Sequence, residues 1–370
     1  MSEPINFNNL FNGVYKDKKI LVTGHSGFKG TWLKFWLEKM GAIVKGISLA
    51  PYSKPSHYEL LGFTDSKFID INDYQILENE VLAFSPDLVF HLAAQPLVRY
   101  SYENPLETWQ TNIIGTANVL NATRNLKNCR AIVNVTTDKC YHNNEWVWSY
   151  RENDELGGYD PYSSSKACSE ILTASFRNSF YNLDNYQKTH QTLIATSRAG
   201  NVIGGGDWST DRLIPDIIKA AVENKTVEIR SSQAVRPWQH VLEPLTAYLL
   251  LGAKLYEGSK KHATSFNIGP ESNANLTVEN IIQIAQKSWG DIRYKDVSNN
   301  ENQLHEAGLL MLDCSKAKKM LDWKSIWSPE EAVERTINWY KNYYLNGQIS
   351  TLQDLTAYIT DAKSKGVNWV

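Results

Sequence analysis

Short apolar segments alternate with helical patterns over the first two hundred residues of the chain. Five apolar segments predict buried β-strands, at residues 18–23, 42–49, 87–92, 131–135 and 192–197. Residues 31–39, 108–125 and 162–178 repeat their apolar positions with a helical period. Strands that alternate with helices predict a parallel sheet covered on both faces, and right-handed crossovers make such a sheet doubly wound. The sequence therefore predicts an α/β fold.

The pattern changes after residue 200, where short strands mix with longer helices. Three helices are predicted here, at 213–224, 241–257 and 277–289, with short strands at 226–230 and 266–268. These segments predict a smaller C-terminal α/β lobe. We therefore expect a first domain over 14–200, a lobe over 201–345 with some chain returning to the first sheet, and a C-terminal extension over 346–370.

Composition narrows the function classes. The 370 residues carry a formal net charge of −2, so no basic excess argues for nucleic acid. No apolar run is long enough to span a bilayer, and the N-terminus does not start a signal peptide. Four scattered cysteines without Cys-x-x-Cys pairing favour reduced thiols in a cytoplasm over a disulfide framework or a zinc site. No His-x-x-x-His pair appears, so no metal is expected.

A glycine-rich turn joins the first strand to the first helix. Gly24, Gly27 and Gly30 have the spacing and the strand–helix context of a dinucleotide fingerprint, in which backbone amides approach a pyrophosphate. The alternative is a purely structural turn. The second strand ends without the carboxylate that usually holds the adenosine ribose, which leaves NAD and NADP open on the residues alone. Asp70 and Ile71 are candidates for the adenine, and a solvated loop is the alternative.

Two further strands end in residues suited to a ligand. Leu92-Ala93-Ala94-Gln95 is built mainly of small side chains, which would let a cofactor pass close to the backbone, although tight packing explains them too. Thr137, Asp138 and Lys139 follow the next strand, at the sheet edge where ligands bind in such folds. There Asp138 and Lys139 are either an acid–base pair or a solvated charge pair.

Tyr162 and Lys166 lie four residues apart and so share one face of the predicted helix over 162–178. An ammonium near a phenol stabilises the phenolate, which makes the phenol a better base near neutral pH. The pair therefore suits removal of a proton from a sugar hydroxyl while hydride leaves the same carbon. On spacing alone, such a pair is more often structural.

Together these motifs resemble the extended short-chain dehydrogenase/reductases that act on nucleotide sugars. Within them, five longer segments resemble the CDP-glucose 4,6-dehydratase group: TGHSGFKG (23–30), AAQPLVR (93–99), TDKCY (137–141), RAGNVIGGGDW (198–208) and RPWQHV (236–241). The resemblance covers about residues 14 to 345. It implies a Rossmann-type domain, a C-terminal lobe that binds the nucleotide sugar, NAD as a recycled cofactor and CDP-glucose as substrate. It also implies a homodimer, or a tetramer built from such dimers, whose helices 108–125 and 162–178 pair across the two-fold axis.

The resemblance also implies a mechanism and roles for residues. Tyr162 takes the C4 hydroxyl proton, Thr137 orients that hydroxyl, and Lys166 lowers the pKa of Tyr162 and binds the nicotinamide ribose. Asp138 occupies the acid position and Lys139 the base position for loss of water across C5 and C6. Burial would shift the pKa of each in the required direction, whereas an Asp⁻/Lys⁺ contact would reverse both shifts.

The expected binding residues fall into two sets. The cofactor set is Gly24, Gly27, Phe28, Lys29, Gly30, Asp70, Ile71, Leu92, Ala93, Ala94, Gln95, Thr111, Tyr162 and Lys166. The substrate set is Gln95, Thr137, Asn201, Arg212, Arg236, His305 and Glu306, with Arg236 and Arg212 suited to a diphosphate. Surface arginines and a solvated His305–Glu306 pair are the alternatives.

Three rival functions remain open on the sequence. A UDP-N-acetylglucosamine 4,6-dehydratase would share the Asp138-Lys139 pair, whereas the dTDP-glucose enzymes carry Asp-Glu there. A nucleotide-sugar 4-epimerase needs no acid–base pair at C5 and C6. A regulatory protein that binds cofactor without turnover is disfavoured by the intact Tyr162, Lys166, Thr137 and Asp138.

Overall fold

The computed structural model describes residues 5–64, 67–271, 274, 276–297 and 309–370. Within these residues the strands are, in chain order, β1 (Lys19–Thr23), β2 (Ile43–Ser48), β3 (Lys67–Phe68), β4 (Leu88–His91), β5 (Ala131–Val135), β6 (Leu193–Ala199), β7 (Val202–Ile203), β8 (Thr226–Ile229), β9 (Val235–Arg236), β10 (Gln239–His240), β11 (Ser265–Ile268), β12 (Leu276–Thr277) and β13 (Arg293–Asp296). His305 and Glu306 lie outside the described residues.

The α-helices follow the strands along the chain. They are α1 (Phe28–Lys39), α2 (His57–Leu60), α3 (Tyr74–Phe84), α4 (Val98–Glu103), α5 (Pro105–Trp109), α6 (Thr116–Thr123), α7 (Pro161–Ser179), α8 (Leu213–Val222), α9 (Leu242–Tyr256), α10 (Val278–Trp289), α11 (Ser315–Leu321), α12 (Pro329–Asn346) and α13 (Thr351–Ser364). Short 3-10 turns occur at Phe7–Gly13, Asp138–Cys140 and Lys260–His262.

The main sheet has seven parallel strands in the order β11-β6-β5-β4-β1-β2-β3. The strand order reverses between β1 and β4, so the crevice beyond their carboxyl ends is the topological switch point where such folds bind ligands. One apolar cluster includes Val22, Trp32 and Leu249, and another includes Leu21, Val119 and Ile194. Alternate residues Leu21 and Val22 of β1 belong to different clusters, as expected for a sheet buried on both faces. The predicted Rossmann-type α/β fold is confirmed.

The chain after residue 200 contributes to both parts of the molecule. β11 pairs with β6 and extends the main sheet, and α9 packs against β4, β5 and β6. The lobe has its own apolar cluster, which includes Ile217, Ile281 and Ile337, and small two-stranded pairs such as β8 with β13. Residues of this part, such as Arg212 and Val227, line the same cleft as Asp138, which follows the carboxyl end of β5.

One predicted helix differs from the structure. The helix expected over 108–125 is divided into α5, a π-helical segment at Gln110–Gly115, and α6. The wider turn places Asn112 so that its side chain accepts from the Gln95 amide at 2.8 Å and donates to the Gln95 carbonyl at 3.1 Å. Asn112 also donates to Ser165 of α7 at 2.8 Å. The extra residue of the π-turn thus fixes the loop after β4 against α7. The periodicity of apolar residues does not reveal such a turn.

The C-terminal segment is packed into the protein. α13 buries Leu355, Tyr358 and Ile359, and the Trp369 ring stacks on Phe11 with 5.1 Å between ring centroids. The Phe11 amide also donates to the Trp369 carbonyl at 2.7 Å. Both ends of the chain therefore meet against the α1 face of the main sheet.

Candidate active site

The glycine-rich turn after β1 is closed by backbone contacts that only glycine allows. Gly24 has a φ of +73°, and a Cβ added there would lie 2.7 Å from the Ala93 nitrogen. A Cβ on Gly30 would lie 2.0 Å from the Gly24 carbonyl oxygen. Gly27 is the N-cap of α1 and offers no side chain to the first-turn amides. The amides at the start of α1 are thus available to an anion approaching along the crevice.

The end of β2 offers hydroxyl groups where a carboxylate is usual. Ser48 donates to Ser26 at 2.8 Å, and Ser26 donates to the Leu49 carbonyl at 2.8 Å. The buried His25 ring packs over Gly46, where an added Cβ would lie 2.3 Å from the ring. This edge therefore presents neutral, hydroxyl-lined groups.

The predicted adenine-binding residues lie close to one another. Asp70 Oδ1 accepts from the Asn72 amide at 2.9 Å, and Asn72 donates to Thr111 at 3.3 Å. The Ile71 carbonyl accepts from Asn118 at 2.9 Å. The structure thus brings Asp70, Ile71 and Thr111 to one corner of the sheet.

Gln95 is engaged within its own loop. Its side-chain amide donates to the Leu97 carbonyl at 3.1 Å and to Thr108 at 2.8 Å, and its Oε1 accepts from the Leu97 amide at 2.6 Å. These bonds use both amide hydrogens and hold Leu97, which lines the cleft. A role for this side chain in donating to a sugar hydroxyl would require it to leave those bonds. Leu92, Ala93 and Ala94 precede it, with the Ala93 amide donating to Thr23 at 3.2 Å.

The N-terminus of α7 is fixed by several local bonds. The N-cap Asp160 accepts from the Ser163 amide at 2.9 Å and from the Ser163 hydroxyl at 2.6 Å, and Pro161 begins the helix. The Tyr162 amide donates to Ser101 at 3.2 Å. Tyr162 therefore sits in the first turn with its backbone held from two sides.

Five groups predicted from the sequence to act in catalysis lie within one cluster. The Thr137 hydroxyl donates to Asp138 Oδ1 at 3.0 Å and is hydrogen-bonded to the Tyr162 phenol. Asp138 Oδ2 is buried and has no hydrogen-bond partner among the described residues. Lys166 Nζ donates to the Val135 carbonyl at 3.3 Å. Tyr162, Thr137, Asp138 and Lys139 line one cleft of about 370 Å³.

Burial dominates the pKa values of this cluster. Burial raises the pKa of Tyr162 to about 12, against the opposing effects of the Thr137 hydrogen bond and the charge of Arg212. Burial lowers the pKa of Lys166 to about 8 and raises the pKa of Asp138, although the Lys139 charge opposes the rise. The charges that act most on the Tyr162 pKa are those of Arg212, Asp138 and Asp160, and the expected lowering by Lys166 stays a prediction.

Lys29 belongs to the same cluster, which its position in the glycine-rich turn did not suggest. Burial, followed by the charges of Lys166 and Arg212, lowers its pKa to about 7. The charge of Asp138 raises the pKa of Lys29 and so opposes this lowering. The side chain therefore reaches from the start of α1 into the cleft, which it lines together with Phe28.

The lobe supplies cationic groups to the cleft beyond the catalytic cluster. Asn201, Arg212 and Arg236 all line it, Arg236 is buried, and Arg212 pairs with Asp207 at 3.8 Å. Sequence reasoning did not single out Arg99, Arg230 and Asp211, although Asp211 Oδ1 lies 3.3 Å from an Nη1 atom of each arginine. Arg99 follows β4 and Asp211 and Arg230 belong to the lobe, so only the folded chain places them together.

The chain can now be compared with known proteins. A family model described as GDP-mannose 4,6 dehydratase matches residues 21–336. The chain belongs to this family. The resemblance to the nucleotide-sugar short-chain dehydrogenase/reductases is thereby confirmed.

Curated relatives of this dehydratase-family protein are similar over most of their length. It is 48% identical over 333 residues to CDP-glucose 4,6-dehydratase of Salmonella typhimurium, which covers 88% of this chain and 91% of the relative. It is 26% identical to dTDP-D-glucose 4,6-dehydratase of Dictyostelium discoideum, over 91% of this chain and 86% of that protein.

Solved structures share the fold. The dTDP-glucose 4,6-dehydratase DesIV from Streptomyces venezuelae, solved with NAD and TYD, has a TM-score of 0.72 at 21% identity and covers 88% of this chain and 97% of its own. UDP-glucuronic acid 4-epimerase from Bacillus cereus gives a TM-score of 0.72 at 23% identity, over 88% of this chain and 100% of its own.

The described residues of this dehydratase-family protein form neither a membrane span nor a metal cluster. Across the described ranges, no helix is both long enough and apolar enough to cross a membrane. The same residues contain no group of three or more His, Cys, Asp or Glu side chains that could hold a metal ion.

Proposed function

We propose that this protein removes water from CDP-glucose to give CDP-4-keto-6-deoxyglucose, with NAD as a recycled cofactor. One observation carries the proposal: Asp138 and Lys139 line the same cleft as Tyr162, and the buried Asp138 Oδ2 has no partner among the described residues. A 4-epimerase needs only the proton and hydride chemistry at C4. A dehydratase also needs an acid and a base for C5 and C6, which Asp138 and Lys139 would supply here.

Several independent features of the crevice suit a dinucleotide. The contacts of Gly24 and Gly30 bring the backbone close to the crevice at the start of α1, with the α1 amides unopposed by a capping side chain. The cluster of Asp70, Ile71 and Thr111 would hold the adenine end, and Lys166 the nicotinamide ribose. When bound there, NAD would accept hydride from C4 of the sugar and return it to C6.

Tyr162 would hold and move the proton of the C4 hydroxyl. Its phenol is hydrogen-bonded to Thr137, so a sugar hydroxyl placed between the two oxygens would be oriented by Thr137 and deprotonated by Tyr162. Burial raises the pKa of Tyr162 to about 12, while the cationic Arg212 opposes the rise. A Tyr162 phenolate would therefore be a strong base, and the positive charge of Arg212 would help to stabilise it.

Asp138 and Lys139 would complete the elimination. A ketone at C4 makes the C5 hydrogen acidic, and Lys139 would remove that proton. Burial raises the pKa of Asp138, so its carboxyl tends to keep a proton that Oδ2 can give to the departing C6 hydroxyl. One proton passes to Lys139 and one leaves Asp138, and water departs, so the step balances.

The diphosphate would bind in the lobe. Arg212 and Arg236 line the cleft near the catalytic cluster, since the charge of Arg212 acts on Tyr162 and that of Arg236 on Asp138. Guanidinium groups match phosphate oxygens in charge and geometry. Asn201 lines the same part of the cleft. With the diphosphate held there, the sugar would lie over Tyr162 and the nucleoside farther out.

Incubation with CDP-glucose tests the proposal directly. We expect a 4-keto product, seen by its absorbance in alkali, and a lower specificity constant with dTDP-glucose or UDP-glucose. Faster dehydration of UDP-N-acetylglucosamine, or conversion of a sugar to its C4 epimer without loss of water, would replace this assignment with one of the rival activities.

CDP-glucose deuterated at C4 separates dehydration from simple oxidation. We expect product with deuterium at C6 and hydrogen from water at C5. Release of the deuterium to free cofactor would instead indicate an ordinary 4-dehydrogenase.

We further propose a homodimer in the cytoplasm. Leu106, Trp109, Ile114 and Ile171 on α5, the π-helical segment and α7 are exposed, and an isologous contact between these helices would cover them. The cysteines are free thiols, three of them buried, which suits a reducing compartment.

A further inference from the structure

Arg212 connects the catalytic end of the cleft with helix α8. Its charge acts on the pKa of both Tyr162 and Lys29, and it pairs with Asp207 at 3.8 Å. Arg212 is the N-cap of α8, and Asp216 lies about one helical turn further along, so both side chains line the same cleft. A nucleotide sugar with its hexose at Tyr162 and its diphosphate at Arg212 would place its base near Asp216.

Three carboxylates line this outer end, and they differ in their availability. Asp211 is engaged, because its Oδ1 lies 3.3 Å from both Arg99 and Arg230. Glu228 on β8 is exposed to solvent. Asp216 is half-buried and lines the cleft on the same helical face as Leu213, three residues earlier. Among these three carboxylates, Asp216 is therefore the best shielded from water, and it forms no ion pair with a described residue.

The surroundings of Asp216 suit a flat ring. Leu213 of α8 and Val227 of β8 line the cleft, and these two elements pack against each other. Apolar side chains can cover the faces of a base while a carboxylate meets its edge. A carboxylate accepts hydrogen bonds and donates none, so it distinguishes bases by the group at that edge.

We propose that Asp216 selects cytosine by accepting a hydrogen bond from its 4-amino group. This inference rests on the proposed function, in which a cytidine nucleotide is the carrier of the sugar. Uracil and thymine carry an oxygen at the same position, and an oxygen facing a carboxylate leaves two acceptors opposed. The half-buried site strengthens both the attraction and the repulsion, since little water intervenes.

The charges around Asp216 predict how this selection depends on pH. The charged groups that face it are Asp207 and Asp211 from the loop before α8, Arg230 after β8, and Lys219 on its own helix. Burial, with the charge of Asp211, raises the pKa of Asp216 to about 6. Below this pH the carboxyl is protonated and can donate to the O4 atom of uracil, so discrimination against UDP-glucose should weaken as the pH falls from 7.5 to 5.5.

The test compares Asp216→Asn with wild type on CDP-glucose and UDP-glucose at pH 7.5. The amide presents both a donor and an acceptor, so the ratio of the two kcat/KM values should fall at least about tenfold. The change should appear partly as faster use of UDP-glucose. Wild-type discrimination should weaken toward pH 5.5, and discrimination by the variant should not.

Glu228→Gln is the matched control, because it removes a carboxylate from the same end of the cleft without changing the proposed contact. Its ratio should stay within about twofold of wild type. If Asp216→Asn fails to fold, Asp216→Ser serves in its place, with the same expected loss of discrimination.

An unchanged ratio in a folded Asp216 variant overturns the inference. A parallel loss of both activities does so as well, because it indicates a structural role. Failure of the wild type to dehydrate CDP-glucose would instead refute the proposed function, so the two failures are distinguished by the wild-type measurement.

Discussion

Arg198 and Glu170 form an ion pair inside the protein, with 2.8 Å between Nη2 and Oε2 and both side chains almost fully removed from water. The pair joins β6 to α7, and Glu170 lies one helical turn after Lys166. Glu170 also accepts from Thr196 at 2.7 Å and from Thr136. The helix that carries Tyr162 and Lys166 is thus anchored to the sheet by a charged network.

Glu170→Gln should destabilise the protein strongly. Removing one charge leaves Arg198 buried without its counterion, which typically costs roughly 3–5 kcal/mol. Urea unfolding should report this loss. The control is Glu257→Gln, which breaks the surface pair with Lys254 at 3.1 Å and should cost less than about 1 kcal/mol. Equal losses in the two variants would contradict the structural role given to the buried pair.

Tyr162→Phe should lower turnover of CDP-glucose by at least about a hundredfold, since proton transfer by a positioned base contributes roughly 10² to 10⁴. Binding of CDP-glucose should change little, because the ring remains in place. Steady-state kinetics and calorimetric titration give the two quantities. Tyr100→Phe removes a phenol that donates to Glu107 at 2.7 Å on the surface, and this variant should keep wild-type turnover. A Tyr162→Phe enzyme that kept near wild-type turnover would remove the phenol from the mechanism.

Asp354 of α13 should make stability depend on pH. Burial raises its pKa to about 7, and the charge of Arg335 opposes the rise. Because the folded protein favours the protonated form, this contribution to stability is complete below the ordinary carboxyl pKa and is lost as the pH rises through about 7.

Asp354→Asn removes that titration. The variant and wild type should be similarly stable at pH 4.5, and at pH 8 the variant should be the more stable by about 2 kcal/mol or more. Glu243, whose pKa burial raises to about 7, titrates in both proteins and cancels in the comparison. Urea unfolding at the two pH values measures the difference, with Glu330→Gln as the surface control. A variant less stable than wild type at pH 8 would show that the ionised carboxylate is the favoured form.

The sequence was sufficient to predict the parts of the site that depend on local structure. The glycine positions follow from backbone approach, and Thr137, Asp138, Tyr162 and Lys166 follow from strand ends and helical spacing, which the fold then brings to one crevice. The sequence did not predict the hydrogen bond from Gln95 to Thr108, because the position of Gln95 depends on the π-turn at Asn112. Asp216 was also missed, because its place opposite Arg230 arises from packing between α8 and β8. Side chains whose partners are distant in sequence leave no periodic signal.

The exposed apolar helices predict the oligomeric state. Ile171 of α7 and Leu106 of α5 are 57% and 76% exposed, and a two-fold contact would bury both. Wild type should sediment as a dimer at micromolar concentration, and the double variant Leu106→Glu/Ile171→Glu should sediment as a monomer. Leu345→Glu, at a similarly exposed leucine on α12, should stay dimeric. A wild-type monomer, or a double variant that remained a dimer, would place the interface elsewhere or remove it.

Asp138 and Lys139 can be assigned separate proton transfers by following hydrogen exchange at C5. If Lys139 removes the C5 proton, Asp138→Asn should still allow that step while hindering departure of the C6 hydroxyl. CDP-glucose recovered from this variant in heavy water should then contain deuterium at C5, although dehydration falls by at least about a hundredfold. Lys139→Met should lose both exchange and dehydration, because the C5 proton stays in place. Mass spectrometry and NMR of the recovered sugar give both rates. If hydrogen exchange at C5 persisted in Lys139→Met and vanished in Asp138→Asn, the two roles would be reversed. The carboxylate would then be the base and the ammonium the acid.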